Sequence, residues 1–166
     1  HALRQPSIQA RFTIPSQQAD LLPAGFPDEY LCIHIRRGDY VNVASHLVSN
    51  EDFVDMAHQF SGLLKGVVVI SDSPIPMDLQ SKLASLFPHT AWVDACDPFD
   101  AHRMMRRARV LVCSNSQFSL IAALLNRNGL VLLPRQWFGP GNENMENLIF
   151  QECNFQILKP PLVKSR

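Results

Sequence analysis

Five apolar runs punctuate the chain, and between them apolar residues recur at helical spacing. The first run, Tyr30-Leu31-Cys32-Ile33-His34-Ile35, is β-branched and aromatic enough to predict a buried strand. Two arginines, a glycine and an aspartate stop it, and Gly38 and Asp39 read as the turn. Val67 to Ile70 is uninterrupted and β-branched, the pattern of a strand covered on both faces in a parallel sheet. Thr90 to Asp94, Val110 to Cys113 and Leu130 to Leu133 predict three more strands, and Phe155 to Leu158 an edge strand. The spacing of Phe53, Met56, Ala57, Phe60 and Leu64 predicts a helix capped at Ser49 or Asn50. Met77 to Phe87 predicts a second helix, stopped by Pro88; Pro98 to Arg107 predicts a third. The fourth runs from Phe118 to Leu125 and is opened by Ser114-Asn115-Ser116. Strand and helix alternate throughout, which predicts an α/β fold: a Rossmann-like parallel sheet with helices on both faces and right-handed crossovers.

The domain is expected over residues 29–158, after an irregular linker (1–28) broken by Pro6, Pro15, Pro23 and Pro27 and before a loose tail (159–166). Its length suits one domain with a sizeable core. A chain 46% hydrophobic and 18% charged is expected to fold rather than stay disordered. Lysine plus arginine and aspartate plus glutamate both number 15, so the net charge is zero and the basic surplus of a nucleic-acid binder is missing. No apolar run is long enough to span a bilayer, and no signal-peptide pattern opens the chain. Cys32, Cys96, Cys113 and Cys153 are widely spaced, which fits neither a zinc site nor a disulfide framework and agrees with a reducing cytoplasm. The chain opens on His1, as a fragment, an isolated domain or a processed product would.

Three strand ends carry polar groups, and in a doubly wound sheet such ends converge on one edge, where ligands bind. Arg36 and Arg37 follow the first strand. A guanidinium keeps its proton and presents a fixed fork of donors that matches two phosphate oxygens, so these residues point to a phosphate. The alternative is a pair of solvated loop arginines, one of them paired with Asp39. His34, inside the strand, is a ligand contact or a satisfied core histidine. Asp72 follows the second strand in Ser71-Asp72-Ser73. It suits a ribose or the N1–H and amino edge of guanine, or alternatively a turn that bonds its own backbone. Ser114, Asn115 and Ser116 open the last helix, whose free amides bind phosphate readily and which the same residues would ordinarily cap. Arg103, Arg106, Arg107 and Arg109 read mostly as a solvated helix face.

His34-x-Arg36-Arg37-x-Asp39 resembles the H-x-R-R-x-D motif of fucosyltransferases that use GDP-fucose. With Tyr40-Val41 it looks most like the bacterial α-1,2-fucosyltransferases of glycosyltransferase family eleven. Val69 to Ser73, Cys113-Ser114-Asn115-Ser116-Gln117-Phe118-Ser119 and Leu133-Pro134-Arg135-Gln136-Trp137-Phe138 resemble further segments of that family in the same order. The chain departs from the pattern after Ser119, where Leu120-Ile121-Ala122-Ala123 replaces aromatic residues and a glycine. The resemblance implies the donor-binding half of a GT-B architecture and inverting transfer of fucose from GDP-fucose to the 2-hydroxyl of a galactose-containing glycan. It implies that Arg36 grips the β-phosphate and stabilises the departing GDP, and that Arg37 braces the loop, with Asp39 beside it. His34 and Asp72 would contact the guanosine, and Ser114, Asn115 and Ser116 the phosphate. No metal or other cofactor is expected, because an arginine aimed at the leaving diphosphate offsets its charge. The acceptor half and the general base lie outside what the motifs identify, and a full-length enzyme of this kind would sit in the cytoplasm or at the periphery of the inner membrane. Two other readings compete: a nucleotide-binding module without catalysis, and an unrelated Rossmann-like enzyme with another phosphorylated ligand.

Overall fold

The computed structural model describes residues 22–43, 47–127, 129–134 and, as backbone, 155–158. Six strands form one sheet: β1 (Tyr30–Ile35), β2 (Gly66–Ser71), β3 (His89–Val93), β4 (Val110–Val112), β5 (Leu130–Pro134) and β6 (Phe155–Leu158). Their order is β3-β2-β1-β4-β5-β6, and every neighbouring pair is parallel. The chain therefore builds outward from β1 to β3, then returns to lay β4 on the other side of β1. That reversal leaves a crevice at the carboxyl ends of β1 and β4, the place where doubly wound sheets take ligands. The Rossmann-like arrangement expected from the alternating runs is thus present, with the sixth strand at the edge.

Both faces of the sheet are covered, which is why β1 and β2 read as continuous apolar runs rather than alternating ones. Helices α1 (Asn50–His58) and α2 (Met77–Leu86) cover one face. There Leu31, Ile33, Val67, Val69 and Val112 meet Phe53, Met56, Leu79 and Leu83. Helices α3 (Pro98–Arg107) and α4 (Gln117–Leu125) cover the other, where Cys32, Val68, Leu111 and Cys113 meet Met104, Met105, Ala122 and Ala123. A fully buried Leu, Ile or Phe in such a layer contributes roughly 2 kcal/mol. Cys32 and Cys113 are packing residues, as expected, and burial raises both thiol pKa values, that of Cys113 to about 12.

Helix α1 begins in a capping box: Asp52 N–H donates to Ser49 Oγ at 3.0 Å and Ser49 N–H to Asp52 Oδ2 at 3.3 Å. It ends at His58, short of the Leu64 that the apolar spacing predicts. From Gln59 the amides turn to carbonyls three residues back, Gln59 to Met56 and Phe60 to Ala57. Leu64 is nevertheless buried, reaching the core from a turn rather than a helix. Leu22 and Phe26, at the end of the expected linker, pack against the core, and Phe26 fills the space over Gly66, where a Cβ would stand 2.9 Å from its ring. Asn126 closes α4: its Nδ2 donates to the carbonyls of Met105 and Ala108, and its Oδ1 accepts from Gly129 N–H. Most of the expected linker (1–28), the expected loose tail (159–166) and Arg135 to Phe138 of the last family-like segment lie outside the described residues. No helix among the described residues is long and apolar enough to cross a membrane.

Candidate phosphate-facing site at the sheet switch point

Register brings three polar strand ends to one edge. Ile35 lies beside Ser71, and Ile33 beside Val112, so the residues that follow β1, β2 and β4 emerge together. His34 points to the α3/α4 side and is 5% exposed. Its Nδ1 lies 2.9 Å from Ser114 Oγ, a bond across the seam between β1 and β4. Its ring stands 5.7 Å from that of Phe118, which in turn meets His102 edge-on at 5.4 Å. Burial lowers the His34 pKa to about 4, outweighing the opposing pull of Asp72, so the imidazole is neutral at neutral pH. One of its nitrogens donates and the other accepts.

The two arginines diverge. Arg36 turns into the crevice, where Nη2 and Nε donate to Asp39 Oδ1 at 2.7 and 3.2 Å and Nη1 pairs with Asp72 Oδ2 at 3.0 Å. Burial works against its charge, and the two carboxylates outweigh that, so its pKa stands above the ordinary value. Arg37 turns back toward α1. Its Nη2 donates to Asn50 Oδ1 at 2.9 Å, its guanidinium lies 5.8 Å from the centre of the Phe53 ring, and Nη1 is buried without a hydrogen-bond partner. Arg37 thus braces the loop through Asn50, while Asp39 pairs with Arg36.

Asp72 holds the loop from below. Its Oδ1 accepts from Arg37 N–H at 2.8 Å, Gly38 N–H at 3.3 Å and the Ser73 hydroxyl at 3.2 Å. The backbone it binds belongs to the neighbouring strand end rather than to its own turn, where it meets only the side chain of Ser73. Gly38 is required by this approach, since a Cβ there would stand 2.6 Å from Asp72 Oδ2. The loop then tightens into a 3-10 turn, Gly38–Asn42, that carries Asp39 outward.

Ser114, Asn115 and Ser116 are all buried. Ser116 occupies the N-cap position of α4 but makes no capping hydrogen bond with its side chain. The Ser119 hydroxyl turns back to the carbonyls of Ser114 and Ser116 instead, at 3.1 and 3.0 Å. Side-chain capping at Ser116, the plain alternative from sequence, is absent, and α4 begins where β4 ends, at the carboxyl edge of the sheet. Ser114 adds to the site through His34.

The basic helix face is less solvated than its pattern implies. Arg103 and Arg106 are half-buried, and Arg103 pairs with Asp100 at 3.2 Å, a carboxylate that is itself buried. Gly38 reads in the sequence only as a turn residue, and neither its close approach to Asp72 nor the Arg37–Asn50 bond nor the His102–Phe118 pair is legible there. Asn50 carried only a capping signal, and no spacing rule joins His102 to Phe118. Among the described residues no group of three or more metal-ligating side chains converges.

No protein-family model and no curated protein matches the chain. Among solved structures, the fold is similar to that of POFUT1 in complex with GDP-fucose, with a TM-score of 0.53 and 17% identity. The likeness covers 64% of this chain, which spans 40% of that protein's length. The fold is that of one Rossmann-like half of a GT-B architecture.

Proposed function

We propose that this chain carries the GDP-fucose-binding half of an α-1,2-fucosyltransferase, which transfers fucose with inversion to the 2-hydroxyl of a galactose-containing glycan. The observation that carries the reading is the His34–Ser114 bond. It joins the H-x-R-R-x-D strand to the end of α4 at the switch point, so Arg36 and the helix amides border one crevice. The fold's likeness to a protein whose crystal structure holds GDP-fucose supports the same donor.

In this reading the β-phosphate lies between Arg36 and the amino end of α4, held by a fixed charge on one side and by the helix dipole and free amides on the other. Ser116 and Asn115 border that end, and Ser114 fixes the His34 ring. His34 and the exposed part of Asp72 meet the guanosine. As the glycosidic bond to the diphosphate breaks, negative charge grows on the leaving oxygen, and a guanidinium already in place stabilises it without reorganisation. The charge work falls to Arg36 rather than to a metal. Arg36→Ala is expected to raise the barrier by on the order of 3 kcal/mol.

Calorimetric titration with GDP, UDP and ADP tests the donor site. GDP should bind best, and Arg36→Ala should abolish its binding; equal affinity for the three nucleotides would overturn the reading. Incubating the full enzyme with GDP-fucose and a galactoside, with and without a chelator, then tests the linkage and the independence from metal. A product linked anywhere but the 2-hydroxyl refutes the former, and loss of turnover in chelator the latter.

A further inference from the structure

Arg36 is held by two carboxylates that differ in kind. Asp72 is fixed: three donors besides Arg36 bind its Oδ1, and its side chain is 21% exposed. Asp39 rides on a 3-10 turn with no buried residue, and its side chain is 67% exposed. Every bond recorded for its carboxylate among the described residues goes to Arg36. Asp39 takes the Nε and Nη2 donors, the edge of a guanidinium suited to bidentate recognition of a carboxylate or phosphate, while Asp72 takes Nη1.

We propose that Asp39 is a built-in stand-in for the diphosphate, occupying the phosphate-binding edge of Arg36 until the nucleotide displaces it. The inference rests on the reading that a diphosphate meets Arg36. Asp72 stays in place throughout, so the guanidinium keeps its position while its partner changes. An exposed ion pair is weak enough to be exchanged. A diphosphate carries more charge than a carboxylate and reaches the amides of α4 as well, so it wins the exchange; a small monoanion offers neither advantage and loses it. Asp39 thereby selects for ligands with two phosphates and closes over Arg36 again when GDP leaves.

The test is the affinity of the native chain, Asp39→Asn, Asp39→Ala and Asp72→Asn for GDP and for inorganic pyrophosphate. The Nε–H resonance of Arg36 is followed by NMR in the same titrations. Both Asp39 variants should bind both ligands more tightly, by about twofold to fivefold, the size of an exposed ion pair. Asp72→Asn should bind more weakly, because it keeps an acceptor for the loop amides but loses the fixed charge that holds Arg36 Nη1. In the native chain pyrophosphate should move the Arg36 resonance, and in Asp39→Asn that resonance should already be displaced before ligand is added. Unchanged or weaker binding by both Asp39 variants would overturn the proposal and assign Asp39 to positioning. So would failure of pyrophosphate to bind any form. Tighter pyrophosphate binding by the Asp39 variants, with no preference for GDP over UDP and ADP, would uphold the stand-in and refute the guanosine reading.

Discussion

The imidazole of His34 and the hydroxyl of Ser114 meet at 2.9 Å across the seam between β1 and β4, both almost wholly buried. Each satisfies the other where water has little access. Ser114→Ala removes that partner and leaves a buried imidazole nitrogen unpaired, at a cost of about 1–3 kcal/mol. The urea midpoint should fall accordingly, and Ser114→Thr, which keeps the hydroxyl, should recover most of it. An alanine variant as stable as the native chain would show that the bond does not hold the seam.

The same histidine makes stability depend on acid. His34 takes up a proton near 6.5 when unfolded and only near 4 in the fold. As the pH falls below 6.5 the unfolded chain gains its proton first, so stability declines towards pH 4 and is flat, as far as His34 is concerned, above 6.5. The full loss is on the order of 3 kcal/mol. Burial pushes His102 in the same direction. Urea midpoints measured through this range should flatten in His34→Asn; an equally steep decline in that variant would assign the effect to other groups.

Gly38 has no room for a side chain. A Cβ would stand 2.6 Å from Asp72 Oδ2, and Asp72 cannot retreat without loosening its 2.8 Å bond to Arg37 N–H. Gly38→Ala should destabilise by roughly 1–3 kcal/mol, as overpacking does, and weaken GDP binding through Arg36. In an Asp72→Ala background the same substitution should do much less harm. A double-mutant cycle reads that coupling directly, and additive effects would sever the two residues.

Asn126 ties α3, α4 and the start of β5 with one amide. Asn126→Ala strands two carbonyls and an N–H, on the order of 3 kcal/mol in thermal or urea unfolding. Asn126→Asp keeps the acceptor for Gly129 but sets a carboxylate against the carbonyls of Met105 and Ala108. It should be at least as damaging at neutral pH, and milder damage than alanine would mean that the two donated bonds carry little weight.

The strands were legible because burial on both faces removes the need for alternation, and the runs at Tyr30 and Val67 show it plainly. Their ends were legible too: the arginines, Asp72 and the Ser114 segment stand where apolar runs stop. Which of them touch was not. Whether Asp39 pairs with Arg36 or with Arg37 depends on how the loop turns after Gly38, and that turn is fixed by Asp72, 35 residues away. Arg37 finds Asn50 because α1 returns over the sheet, a matter of packing rather than of spacing. The Ser114 segment carried the residue types of a helix cap, yet the hydroxyl of Ser114 is engaged by a histidine 80 positions earlier in the chain. The end of α1 is not legible in the sequence, because Leu64 keeps the helical period while reaching the core from a turn.

The seam between β1 and β4 is also the costlier of the two closures that build the site. The loop that joins Arg37 to Asp72 closes 35 residues, whereas the bond from His34 to Ser114 closes 80. Longer loops forfeit more chain entropy before any contact repays it. The crevice exists only in molecules where that long closure is complete. A nucleotide seated there binds the finished fold alone and stabilises it by mass action. The donor would then act as a probe of folding, protecting from proteolysis those chains whose two halves of the sheet have met.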